Sequence, residues 1–144
     1  MRDFQRTRVY RWEQAVLFKH PNNWRLDTLD ECRVLVEKVW LGTGVRKRIP
    51  KLGDGRRRVT AASFGGEIRL PRGGDFKNPE SRYLRTAVII CHEVAHELLP
   101  RDVHHGEDFV STYINLLNTN LNISKDAMID TAMDFKVKIN HDLL

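Results

Sequence analysis

Residues 87–99 read AVIICHEVAHELL, apolar on nearly every side of a helical wheel. A helix of that kind belongs inside a packed core rather than on its surface. Among the ionisable side chains that interrupt it are His92, Glu93 and His96. Burying two imidazoles and a carboxylate costs on the order of several kcal/mol unless each finds a partner, and a divalent cation satisfies all three at once. Residues four apart share one helical face on adjacent turns, so His92 and His96 can ligate a single ion with Glu93 beside them. This is the H-E-x-x-H arrangement, in which two His bind zinc and the Glu serves as general base.

A hydrolytic zinc site takes three protein ligands and leaves a fourth position open. After Pro100 the chain delivers VHHGEDF, with His104 and His105 competing for the third place, since neighbouring side chains seldom both point inward. His105 lies nine positions beyond His96. The residues between them span about 25 Å when extended, so a return to the metal is easy. Gly106 is expected to let the backbone bend sharply there. Glu107 and Asp108 are alternative oxygen ligands, although acids at a helix start commonly serve its dipole.

The helix carrying the pair is expected to begin at Asn78-Pro79-Glu80, with an asparagine cap and proline in the first turn, and to run to Leu98 or Leu99. A first helix is predicted over residues 3–19, with Phe4, Val9, Trp12, Val16 and Phe18 inward. A second is predicted with Asp27 as its cap, Cys32, Leu35, Val36, Val39 and Trp40 inward, and Gly42 as its stop. Between residues 45 and 71 short β-like pieces alternate with glycine. VRKRIPKL and RRVTAASF flank a Gly53-Asp54-Gly55 turn, and Gly65-Gly66 precedes EIRL, which together predict a three-stranded antiparallel meander. Two more helices are expected: residues 106–117, with Phe109, Tyr113, Ile114 and Leu117 on one side, and one capped by Ser124, with Met128, Ala132, Phe135 and Ile139 inward.

The 144 residues, 41% hydrophobic and 30% charged, suit one globular domain over residues 1–144 and argue against disorder. No apolar run approaches the ~18 to 20 residues of a membrane span, and the charged start excludes a signal peptide, so a cytoplasmic protein is expected. Cys32 and Cys91 are then buried thiols. Charge is unevenly placed: residues 1–72 carry a net +9 and residues 73–144 a net −4. Seven basic side chains fall within residues 46–58, Arg46 and Arg58 among them, and could touch DNA phosphates non-specifically. A solvated surface is the ordinary explanation of such a run.

HEVAH followed at short range by HGEDF resembles the SprT-like zincins, small metalloproteases with the motif H-E-x-x-H, a spacer and H-G-x-x-F. RDFQRTRVYRWE and GGEIRLP are similar to small metallohydrolases of bacteria and their phages. The resemblance implies a minimal zincin-like α+β fold, a small three-stranded antiparallel sheet with about five helices. It implies that His105 is the third zinc ligand and that Phe109 packs in the core. It further implies that the strand Glu67, Ile68, Arg69 and Leu70 lies at the sheet edge as a shelf for an extended peptide, since an edge offers unpaired backbone groups. Crosslink-directed proteases of this type usually add a zinc ribbon, which Cys32 and Cys91 cannot build.

The expected activity is zinc-dependent peptide hydrolysis. Zn²⁺ on His92, His96 and His105 would activate water, and Glu93 would carry its proton to the leaving amine. Tyr113 is the favoured oxyanion stabiliser, with His104 and Tyr83 as alternatives. Rival readings are a non-peptide metal-dependent hydrolase, and a regulatory protein that keeps zinc for structure and binds DNA or a host protein.

Overall fold

The computed structural model describes residues 3–54, 62–70 and 85–144. In chain order its elements are α1 (Arg6–Trp12), α2 (Leu29–Gly42), β1 (Lys51–Asp54), β2 (Ala62–Phe64), β3 (Glu67–Leu70), α3 (Ala87–Leu98), α4 (Glu107–Leu121) and α5 (Lys125–Asp134). The architecture is a mainly helical α+β one, with five α-helices among the described residues. The chain divides into two compact units, Trp24–Glu97 and Met1–Asn23 with Leu98–Leu144.

In the unit Trp24–Glu97, α2 starts at Thr28 rather than Asp27. The Thr28 hydroxyl accepts from the Glu31 amide at 3.1 Å, and the Glu31 carboxylate accepts from the Asp27 amide at 2.9 Å. Two otherwise unbonded amides are thus satisfied from one four-residue stretch. The inward stripe is as expected, Cys32, Leu35, Val36, Val39 and Trp40, and Gly42 is the last helical residue.

The sheet departs from the antiparallel meander. Its order is β1-β3-β2, with β2 antiparallel and β1 parallel to β3. The Gly65-Gly66 turn forms as expected, both residues at positive φ (58° and 85°), the mirror-image turn that suits a tight hairpin. Gly53 and Asp54, by contrast, are strand residues: Gly53 pairs with Arg69 and Asp54 with Leu70. The Gly53 position is crossed closely by the Glu67 side chain, so glycine there serves close approach rather than a turn. Twelve residues separate β1 from β3, about the length a parallel crossover needs. β3 takes the centre because it alternates cleanly, with Ile68 and Leu70 buried and Arg69 exposed.

α3 begins later than predicted. Arg85 and Thr86 are not helical: Thr86 forms an antiparallel bridge with Arg25, Leu26 N–H donates to Arg85 O at 2.7 Å, and Ala87 N–H donates to Trp24 O at 2.9 Å. These strand-like bonds hold the backbone extended up to Ala87. The predicted start at Asn78-Pro79 lies outside the described residues. From Ala87 to Ala95 every residue is buried, as the apolar run requires.

In the other unit, α1 passes into a π-helical turn at Glu13–Leu17, so the predicted uniform helix over residues 3–19 is shorter and rewound. The buried set becomes Gln5, Val9, Trp12, Glu13 and Leu17, while Phe4 is 81% exposed. The polar members have partners. Gln5 donates to and accepts from the Lys138 backbone, Trp12 Nε1 donates to Thr131 Oγ1 at 3.0 Å, and Glu13 accepts from the Tyr113 hydroxyl at 2.7 Å. α4 runs beyond the predicted Leu117 to Leu121 and ends on Asn122 in the left-handed region. Ser124 caps α5 as expected, accepting from the Ala127 amide at 3.2 Å. Met128 and Ala132 face inward, but Lys136 at φ 58° turns the chain, and Val137 is buried where Ile139 was expected.

No helix among the described residues is long and apolar enough to cross a membrane. Cys32 and Cys91 are both buried free thiols. Burial pushes Cys32 up to about 11, partly opposed by the Arg85 charge, and Cys91 up to about 12.

Candidate metal centre

α3 sets two imidazoles on one face. The Nε2 atoms of His92 and His96 are 3.2 Å apart, with ring centroids at 4.9 Å. Two nitrogens each ~2.0–2.1 Å from a tetrahedral zinc lie about 3.3–3.4 Å from each other, so the pair is already spaced for one ion. Glu93 is buried beside them, its Oε1 3.9 Å from His92 Nε2.

His105 is reached by a different route. Pro100 ends the helical stretch, a 3₁₀ turn covers Arg101–Val103, and His104 takes φ 51°, ψ −126°. A positive φ on a non-glycine residue is costly and reverses the chain sharply. The bend therefore sits at His104, not at Gly106, whose φ of −70° any residue can adopt. Glycine at 106 answers a crowding instead: a Cβ there would come within 3.0 Å of the Val103 carbonyl oxygen. The reversal buries His105 and leaves His104 half-exposed. The His105 ring meets Tyr10 edge-on at 5.1 Å and Phe109 at 5.0 Å. Its Nδ1 lies 2.7 Å from Asp3 Oδ2, and its main-chain N–H donates to Asp3 Oδ1 at 3.3 Å.

Among the described residues, His92, His96 and His105 form a group whose ligand atoms all lie within 4.8 Å of one another. His105, and not His104, is the residue grouped with the helical pair. Asp108 is engaged elsewhere, accepting from Asn140 Nδ2 at 2.8 Å. Three imidazoles suit zinc and several neighbouring transition metals, and a set of three leaves a coordination position for water or substrate.

The remaining expected site residues fare differently. Phe109 is fully buried, as the motif implied. Tyr113 is also fully buried, packed against Phe109 and Trp12, and its hydroxyl donates to Glu13. That bond and its burial give it a core role, the ordinary one for an aromatic on the inward side of a helix. Glu67, Ile68, Arg69 and Leu70 do not form a sheet edge: β1 and β2 flank them on both sides, so their backbone groups are paired within the sheet. The strand is central and offers no edge to an extended peptide. Tyr83 and part of the basic run, residues 55–58, lie outside the described residues. Asp3 went unnoticed in the sequence. Its one signal is that it is the sole acid among the first twelve residues, in a stretch with four arginines.

No family model, no curated protein and no solved structure matches the chain. Fold and site together define a mainly helical α+β protein carrying a three-histidine group able to hold a metal ion.

Proposed function

We propose that the chain is a zinc-dependent peptidase of the SprT-like zincin kind, acting on protein or peptide substrates. The observation that carries this reading is the grouping of His105 with the helix-borne His92 and His96, since HEVAH and HGEDF are the two ligand-bearing motifs of that family. Bound to these imidazoles, Zn²⁺ supplies a Lewis acid that polarises a carbonyl and makes water acidic enough to attack near neutral pH. Glu93 follows His92 on the same helix, and its Oε1 lies 3.9 Å from His92 Nε2. That oxygen would take the proton of the attacking water and return it to the leaving amine nitrogen. Val94 and Ala95, which follow Glu93 on the helix, are fully buried.

Glu93→Gln tests the proposal. The amide preserves size and packing but cannot accept the proton, so hydrolysis of an unfolded protein substrate should fall by about 10²–10⁴-fold while zinc content stays at the wild-type level. Wild-type hydrolysis in that variant would refute the peptidase reading.

A further inference from the structure

We propose that Asp3 is a positioning residue for the metal centre, holding the His105 ring with its proton on Nδ1 so that the lone pair on Nε2 is presented for ligation. This rests on the metal-site reading above. Both carboxylate oxygens are committed to one residue: Oδ1 accepts from the His105 main-chain N–H at 3.3 Å, and Oδ2 lies 2.7 Å from Nδ1. An ionised carboxylate only accepts, so the ring nitrogen facing it must carry the hydrogen. In a neutral imidazole the other nitrogen is then the ligand atom.

His105 needs such a partner more than the other two histidines do. His92 and His96 stand on a regular helix, whereas His105 follows a residue at positive φ, a strained conformation that persists only where its surroundings fix it. Asp3 captures the next amide along the chain and the ring together, so a single side chain sets both the backbone turn and the ring's orientation. Tyr10 and Phe109 pack edge-on against the same ring and restrict its rotation. The Asp3 side chain is 20% exposed, which shields the contact from competing water. Outer partners of metal-bound histidines characteristically contribute about 10–100-fold in affinity.

The experiment titrates metal-free protein with Zn²⁺ alone against a competing chelator. Asp3→Ala should weaken zinc binding by about 10–100-fold, and Asp3→Asn, which keeps one acceptor oxygen, should fall between it and wild type. His105→Ala in the same titration separates the two claims. Wild-type affinity in His105→Ala would sink the metal-site reading itself. Weakened binding in His105→Ala with wild-type affinity in Asp3→Ala would overturn the Asp3 proposal alone. A readout that needs no variant is the long-range ¹H–¹⁵N correlation of wild-type, metal-free protein at pH ~9, where imidazole is neutral. The Nδ1–H tautomer at His105 is expected, and the Nε2–H tautomer overturns the proposal.

Discussion

On α3, a buried His92 and a half-buried His96 stand four residues apart, and the helix brings their Nε2 atoms to 3.2 Å. Around His105 no regular element serves that purpose. A 3₁₀ turn, a positive φ at His104 and a carboxylate 102 residues away in sequence hold the ring instead. The first arrangement is backed by a ladder of main-chain hydrogen bonds and by packing, and it tolerates small perturbations. The second depends on a few polar contacts that one substitution removes. Metal affinity should therefore be dominated by the pair and tuned by the third ligand.

A ligand-deletion series tests that asymmetry and carries the largest expected effects. His92→Ala or His96→Ala should abolish stoichiometric zinc, measured by elemental analysis at fixed free Zn²⁺, because either substitution removes half of the pair spaced at 3.2 Å for one ion. His105→Ala should bind more weakly than wild type but more tightly than either helical variant. His104→Gly should keep wild-type affinity, since that side chain lies outside the three-histidine group and glycine accepts the positive φ without strain. If His104→Gly loses zinc while His105→Ala keeps it, the assignment of the third ligand is wrong and the comparison with it.

The same contrast explains what could be read from the amino-acid string. The α3 pair depends on periodicity within five residues, so its burial and common face were legible before any fold was known. The α2 stripe, the Ser124 cap and the Gly65-Gly66 turn are local in the same sense. Which of His104 and His105 turns inward goes with which residue takes the positive φ, and the Asp3 contacts that accompany that turn come from 102 residues away in sequence. The order of the sheet is not legible in the sequence for a related reason. Gly-Asp-Gly satisfies the local requirements of a hairpin turn, but β3 holds the alternating apolar face and takes the central place, which no window around residue 53 reveals. The rewinding of α1 is likewise a tertiary effect, since Glu13 is buried with a hydroxyl from Tyr113, 100 residues on.

That buried Glu13–Tyr113 bond gives the next prediction, smaller than the ligand deletions. Tyr113→Phe removes the hydroxyl and leaves a buried carboxylate oxygen without this donor, which should destabilise the fold by about 1–3 kcal/mol. For a chain of this size the melting temperature should drop by about 2–4 °C per kcal/mol. Zinc content and hydrolysis per folded molecule should stay at wild-type levels. A variant with wild-type melting and a large loss of turnover would return Tyr113 to the catalytic machinery and move the line between core and site.

The smallest effect concerns whether the packing around α2 is independent of His105. Cys32 lies on the buried face of α2, and burial raises its thiol from 9.0 to about 11. In the unfolded chain the thiol ionises first, so the stability it contributes is complete below pH 9.0 and is lost as the pH rises through about 11. Urea midpoints measured across that window should fall less steeply in Cys32→Ala than in wild type, and the difference isolates this thiol from every other alkaline titration. Repeating the pair of measurements in a His105→Ala background should give the same difference. If removing the ring abolishes it, the burial of α2 depends on the polar arm as well, and the division between a packed, self-sufficient pair and a tethered third ligand fails.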